Sequence, residues 1–195
     1  MAFRIAYLLT EAPLTDAVKA LDLQIAEEVG DPPDGDVPLW ATTLSHPNWT
    51  LVWAEDELFF FKRERACSTL SRRASLISCI VNETVMSSTA MGWRDGAEVW
   101  SLHHQGDTGD VFHLDIAGTP PAEFADLNAA LEAKRSDGSA EPDHDYAFEV
   151  PVALAERLTG FRYDRAVDPN RRGAFRILEP RQAPSLLVRL FRSRS

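Results

Sequence analysis

The chain has 195 residues, of which 45% are hydrophobic and 26% charged, with 30 acidic against 20 basic groups and a net charge of −10. This composition predicts a single domain over residues 1–195 and excludes wholesale disorder, collagen-like and coiled-coil classes. The negative balance argues against nucleic acid and against a membrane surface as partners, and no run approaches the ~18 apolar residues of a spanning helix.

Phe3 to Leu9 has the aromatic and β-branched content of a first strand. Its apolar part, Ile5 to Leu9, runs into Glu11 and Pro13 and lacks the small-residue cleavage site of a signal peptide. Pro13 opens a predicted helix from about Leu14 to Glu28, because Leu14, Val18, Leu21 and Ile25 recur at helical spacing. Gly30 and Pro32-Pro33 end it, and Asp31 to Pro38 is a solvated loop.

From Asn48 the chain turns strand-like. Trp49 to Ala54 and Leu58 to Phe61 flank Glu55-Asp56-Glu57, which predicts a hairpin. Arg63 to Arg73 suits either a short helix or a crossing loop. Leu76 to Val81 and Val85 to Gly92 are strands joined by a turn at Asn82-Glu83-Thr84. The clearest hairpin is Trp93-Arg94-Asp95-Gly96-Ala97, since an Asp-Gly pair suits a type I′ turn with both central φ angles positive. Ala97 to His104 returns, Gln105 to Gly109 turns again, and Val111 to Ala117 forms a further strand.

The last third mixes helix and strand. Ala122 to Lys134 is an amphipathic helix with Phe124, Leu127 and Leu131 on one face. A polar loop, Ser136 to Asp145, precedes a strand at Tyr146 to Val150. Pro151 then opens a two-turn helix, Val152 to Leu158, with Gly160 as its cap. Phe175 to Leu178 is a closing strand and Ser185 to Arg194 a terminal helix. Together these predict an α+β fold: a mostly antiparallel sheet, with a central meander over about residues 76–117 and flanking helices packed on one face. Trp40, Trp49 and Trp53 form an aromatic wall where the sheet begins.

Cys67 and Cys79 form no Cys-x-x-Cys pair and are expected to be unbridged thiols. The densest group of chemistry-bearing residues is His103-His104-Gln105-Gly106-Asp107, followed by His113 and Asp115. If residue 103 faces 111 and 101 faces 113, Trp100, Leu102, Phe112, Leu114 and Ile116 share the core side. Ser101, His103, His113 and Asp115 then share the other face. His103, His113 and Asp115 are thus the candidate catalytic residues of an enzyme, or of a small-ligand or metal-binding protein, set against the ordinary reading of a polar sheet face. Spacing fixes no third metal ligand, and neither a metal nor a cofactor is expected. Gly-x-Ser-x-Gly, His-Glu-x-x-His and Gly-x-x-x-x-Gly-Lys are all missing from the sequence. Asp31, Asp34 and Asp36 around Gly35 lack calcium-loop spacing. Arg72-Arg73-Ala74-Ser75 has the form of a basic phosphorylation motif but leads straight into a strand.

Charge is unevenly spread. Residues 171–195 hold seven arginines against one acid, Glu179, whereas residues 1–170 hold 29 acids against 13 bases. The basic C-terminal element is expected to fold back on the acidic body, anchored by Leu186, Leu187, Leu190 and Phe191. The competing reading is an amphipathic arm for an anionic surface.

One stretch runs from Val81-Asn82-Glu83-Thr84 through Trp93-Arg94-Asp95-Gly96 to Trp100-Ser101-Leu102-His103-His104. It continues as His113-Leu114 and Gly118-Thr119-Pro120-Pro121-Ala122-Glu123-Phe124. Over these roughly 45 residues the chain resembles small acidic bacterial α+β proteins of unassigned activity, some of them immunity partners of secreted toxins. Those proteins pair a Trp-x-x-Gly-x-x-x-Trp hairpin with a strand, a Gly-x-x-Pro turn and a helix. The resemblance implies a cytoplasmic binding protein without cofactor, and it transfers no catalytic residue. The leading expectation is a non-enzymatic protein-binding protein, an immunity-type inhibitor whose acidic body meets a basic toxin; a homo-oligomer is compatible with it.

Overall fold

Tyr7, Leu8 and Leu9 are all fully buried, although successive strand residues point to opposite sides of a sheet. The first strand, β1 (Arg4–Thr10), is therefore covered on both faces. The computed structural model describes residues 2–33, 37–45, 48–138, 141, 144–167 and 172–181. On one side β1 pairs antiparallel with β4 (Asn48–Ala54), which pairs in turn with β3 (Leu39–Ser45). On the other it pairs with β5 (Leu76–Asn82), followed by β6 (Ser87–Arg94), β7 (Ala97–Gln105) and β8 (Asp115–Gly118). β2 (Leu23–Val29) and β9 (Phe175–Pro180) complete the sheet beyond β3. The strand order is β2-β9-β3-β4-β1-β5-β6-β7-β8, with every neighbouring pair antiparallel. The fold is α+β and dominated by this sheet, with the expected meander at β5 to β8.

The helices lie on both faces, which corrects the one-sided layout expected from the sequence. Ala6, Leu8, Val52 and Leu76 pack against α1 (Leu14–Ala20) and α2 (Glu64–Ser71). Tyr7, Leu9, Leu51 and Cys79 pack beneath α4 (Glu149–Thr159), with α3 (Phe124–Ser136) beside it. The physical reason is visible in β1, β4 and β5, whose near-continuous apolar runs need cover on both sides. Each fully buried leucine contributes on the order of 1.5–3 kcal/mol before ordering costs.

Several local expectations change. The helix expected to reach Glu28 ends at Ala20; Asp22 takes a left-handed φ of 58°, and the chain leaves as edge strand β2. Ile25, which helical spacing placed on the core face, is 42% exposed there. β4 finds its hairpin partner in β3, a strand the sequence reading did not identify. Leu58 to Phe61 is a turn and the start of a short 3-10 helix, in which Asp56 accepts the Leu58 N–H, Phe59 and Phe60 are buried and Phe61 is 69% exposed. The ambiguous charged stretch resolves as helix α2. Tyr146 to Val150 is not a strand; α4 starts at Glu149, because Val150, Val152, Leu154 and Ala155 point into the core together. Its Gly160 cap is left-handed, φ 74°, as expected. The terminal helix expected at Ser185 to Arg194 lies outside the described residues.

The β6–β7 turn has the expected type I′ geometry, with φ of 54° at Asp95 and 86° at Gly96. The tryptophan wall is also present: Trp40 and Trp53 face each other in register and stack with ring centres 5.4 Å apart. Among the described residues, no helix is long and apolar enough to cross a membrane.

Candidate functional site

β7 ends with His103-His104, and strand alternation sends the two rings to opposite faces. His103 lies half-buried on the side of Thr89, whose Oγ1 is 2.8 Å from its Nδ1. Its register partner is Asp115, not residue 111 as expected. The pairing is shifted by four residues, because Gly106–Thr108 forms a 3-10 turn, Gly109 is left-handed, and Asp110 holds the Phe112 N–H before β8 begins. An even shift preserves the faces within β7 and β8, Trp100 and Leu102 buried with Ser101 and His103 opposite. The expected strand from Val111 starts only at Asp115, however, so His113 is not held on the face of His103 by alternation. Phe112 is buried and Leu114 partly so, but Ile116 is 47% exposed because β8 is a sheet edge.

Asp115 links the sequence-predicted residues. It stands opposite His103, and its Oδ2 lies 3.4 Å from His113 Nε2. His113, however, also leans toward His104, ring centres 6.2 Å apart, and its carbonyl accepts a 2.7 Å hydrogen bond from His104 Nδ1. His104 is fully buried, and its Nε2 faces Asp145 Oδ1 at 3.5 Å without a hydrogen bond. This contact ties the connection between α3 and α4 to β7. Nothing in the spacing of residues 104 and 145 signals it. Apart from Thr89 at His103, the nearby serine hydroxyls are committed elsewhere, Ser88 donating to the Phe148 carbonyl and Ser87 to that of His104. The imidazoles therefore have no hydroxyl nucleophile of the kind a hydrolytic triad needs in these serines. Among the described residues no group of three or more His, Cys, Asp or Glu is placed to hold a metal ion.

Cys67 and Cys79 are unbridged, as expected. Burial pushes both thiols up to about 12, far from the range of a reactive thiolate. Tyr7, the register partner of Cys79, is raised as well by its complete burial.

The surface over α3 and α4 is more distinctive. Between Gly106 and Val167 the described residues include twelve acids and five bases, whereas segments 11–22 and 55–74, which carry α1 and α2, hold seven acids and six bases. The larger acidic surplus thus falls in the part of the chain that carries β8, α3 and α4. The arginines there are paired within the chain: Arg135 with Glu132, Arg157 with Asp126, and Arg162 and Arg165 with Glu156. Arg162 is the hub, 10% exposed, with Glu149 and Asp164 each at 2.7 Å. Burial opposes its charge, but the hydrogen bonds it donates to those two carboxylates outweigh it and hold the guanidinium above its ordinary value. Between the two helices runs a mainly apolar groove of roughly 210 Å³, formed by Leu127 and Leu131 from α3, Val150 and Ala153 from α4, and Tyr146, with Lys134 and Glu149 also lining it. Tyr146 is held by stacking on Phe112, rings 5.1 Å apart and nearly parallel. Sequence periodicity placed Leu127 and Leu131 on one helix face, but the groove exists only because α4 lies alongside.

No family model matches the chain, and no match was found among curated proteins or solved structures.

Proposed function

We propose that the chain is a non-enzymatic binding protein of the cytoplasm that docks a basic protein on its α3–α4 face, in the manner of an immunity-type inhibitor. The observation that carries this reading is the contrast between the two helical layers: near-balanced charge over α1 and α2, and a surplus of acid around a mainly apolar groove over α3 and α4. An apolar centre with a charged rim is the anatomy of a protein interface, the centre supplying affinity and the rim steering encounter. Asp126, whose side chain is 89% exposed, and the half-exposed Glu132 stand on α3. Their ion pairs with Arg157 and Arg135 are exposed and weak, so lysines and arginines of a partner can replace those contacts.

The test is co-expression with the product of the adjacent reading frame, followed by size-exclusion chromatography of the mixture. A 1:1 complex supports the reading if it is weakened by Asp126→Lys with Glu132→Lys and by about 0.5 M salt. A neighbour that forms no complex, or one that binds the charge-reversed variant equally well, overturns it.

A further inference from the structure

Lys19, Arg72 and Arg73 line a single cleft of roughly 510 Å³ between α1 and α2, and none of the three makes an ion pair among the described residues. In a chain with ten more acids than bases, three such cations around one cavity call for a partner from outside. We propose that this cleft binds a small organic oxyanion, a phosphate monoester no larger than a mononucleotide. The inference is independent of the α3–α4 face, which lies on the other side of the sheet.

The cavity is of the size that small-molecule sites occupy, about 300–1,000 Å³. Its floor is apolar and low, from Ala12, Leu70 and Ala74, and leaves room for an organic group. Two carboxylates, Glu11 and Asp16, line it as well. Glu11 Oε2 accepts the Ser75 N–H at 3.1 Å. Asp16 stands three residues before Lys19 on α1, where helical geometry sets the two side chains side by side. Three cations against these two carboxylates leave the cleft with one net positive charge, and Arg72 and Arg73 carry the side of it that faces α2. Their planar guanidinium groups suit a phosphate oxygen pair better than an ammonium would.

The stem of Arg72 passes close to the β6–β7 turn, since a Cβ at Gly96 would come within 3.0 Å of Arg72 Cγ and Nε, while the side chain as a whole stays exposed. The net charge of the whole protein does not forbid anion binding, because the α1–α2 layer is nearly balanced and distant acids are screened. The Arg72-Arg73-Ala74-Ser75 sequence takes on a meaning here that a phosphorylation motif lacks. Ser75 is tied down through its N–H and by Thr10 Oγ1 and the Glu11 N–H donating to its carbonyl, so the segment presents its arginines to the cleft.

Titration of the full chain at low salt, followed by amide chemical shifts, tests the proposal with phenyl phosphate and inorganic phosphate as probes. Saturable 1:1 binding of phenyl phosphate is expected, with shifts confined to α1, α2 and Ser75. Affinity should exceed that of inorganic phosphate by about threefold or more, because only the ester reaches the apolar floor. Arg72→Gln with Arg73→Gln should weaken binding at least about tenfold with an unchanged circular dichroism spectrum, while Arg4→Gln leaves it intact. Should the double variant unfold, Arg73→Gln alone must still weaken binding several-fold. Lack of saturation by about 10 mM phenyl phosphate, equal binding by the arginine variants, or shifts centred on α3 and α4 would overturn the proposal.

Discussion

The indole of Trp100 lies across Gly92, its register partner on β6, so closely that a Cβ at position 92 would stand 2.0 Å from the indole nitrogen. On its other side Trp100 is paired with Gly118 of β8, which is left-handed and approaches the Val99 carbonyl too closely for any side chain. Gly92 thus makes room for the indole, whereas Gly118 is required by the close backbone approach of β8 to β7. Gly92→Ala should displace the ring and destabilise the fold by about 1–3 kcal/mol, as overpacking does. Urea unfolding measures this, and tryptophan emission of the folded variant should shift to longer wavelength.

The two histidines of β7 should differ sharply in structural weight. His104→Ala removes a fully buried ring that donates to the His113 carbonyl, and should cost roughly 2–4 kcal/mol from the cavity and the orphaned acceptor together. His103→Ala loses only a half-buried contact with Thr89 and should cost under about 1 kcal/mol. Equal losses in chemical denaturation would contradict this division.

Arg162→Met should destabilise the protein by about 1–3 kcal/mol, since it leaves Glu149, Glu156 and Asp164 clustered without their shared cation. Arg162→Lys should recover only part of this. One ammonium cannot serve both the Nε side facing Asp164 and the Nη2 side facing Glu149. Thermal melts of the three proteins at pH 7 provide the comparison.

Burial raises the Cys67 and Cys79 thiols from an ordinary 9.0 to about 12, which sets the sign of the alkaline response. A group whose pKa is higher in the folded state contributes its full stability below the unfolded value. Stability should therefore be complete up to about pH 9 and fall as pH climbs toward about 12. Cys67→Ala with Cys79→Ala should flatten this decline, and a thiol reagent should label the native protein at pH 8 only after denaturant is added.

Where structure depends on neighbours in sequence, it was legible from the residues alone. The Asp95-Gly96 turn follows from two residues that tolerate positive φ, and alternation along residues 97–104 sorts Trp100 and Leu102 from Ser101 and His103 whatever the partner strand. Pro151 and Gly160 bracketed a helix for similarly local reasons, although its start lies at Glu149. Tertiary pairing decided the rest. Leu21 and Ile25 fit a helix as well as anything local could show, yet the segment after Asp22 gains more by joining Phe175–Pro180, about 150 residues away, as an edge strand. The register of β8 depended on how many residues the Gly106–Thr108 turn and the Asp110 cap absorb, which alternation cannot count. His104 meets Asp145, and Arg72 with Arg73 meets Lys19, only once helices pack on both faces of the sheet. Local propensities act over a few residues, whereas the burial that places these side chains is shared among strands and helices far apart in the chain.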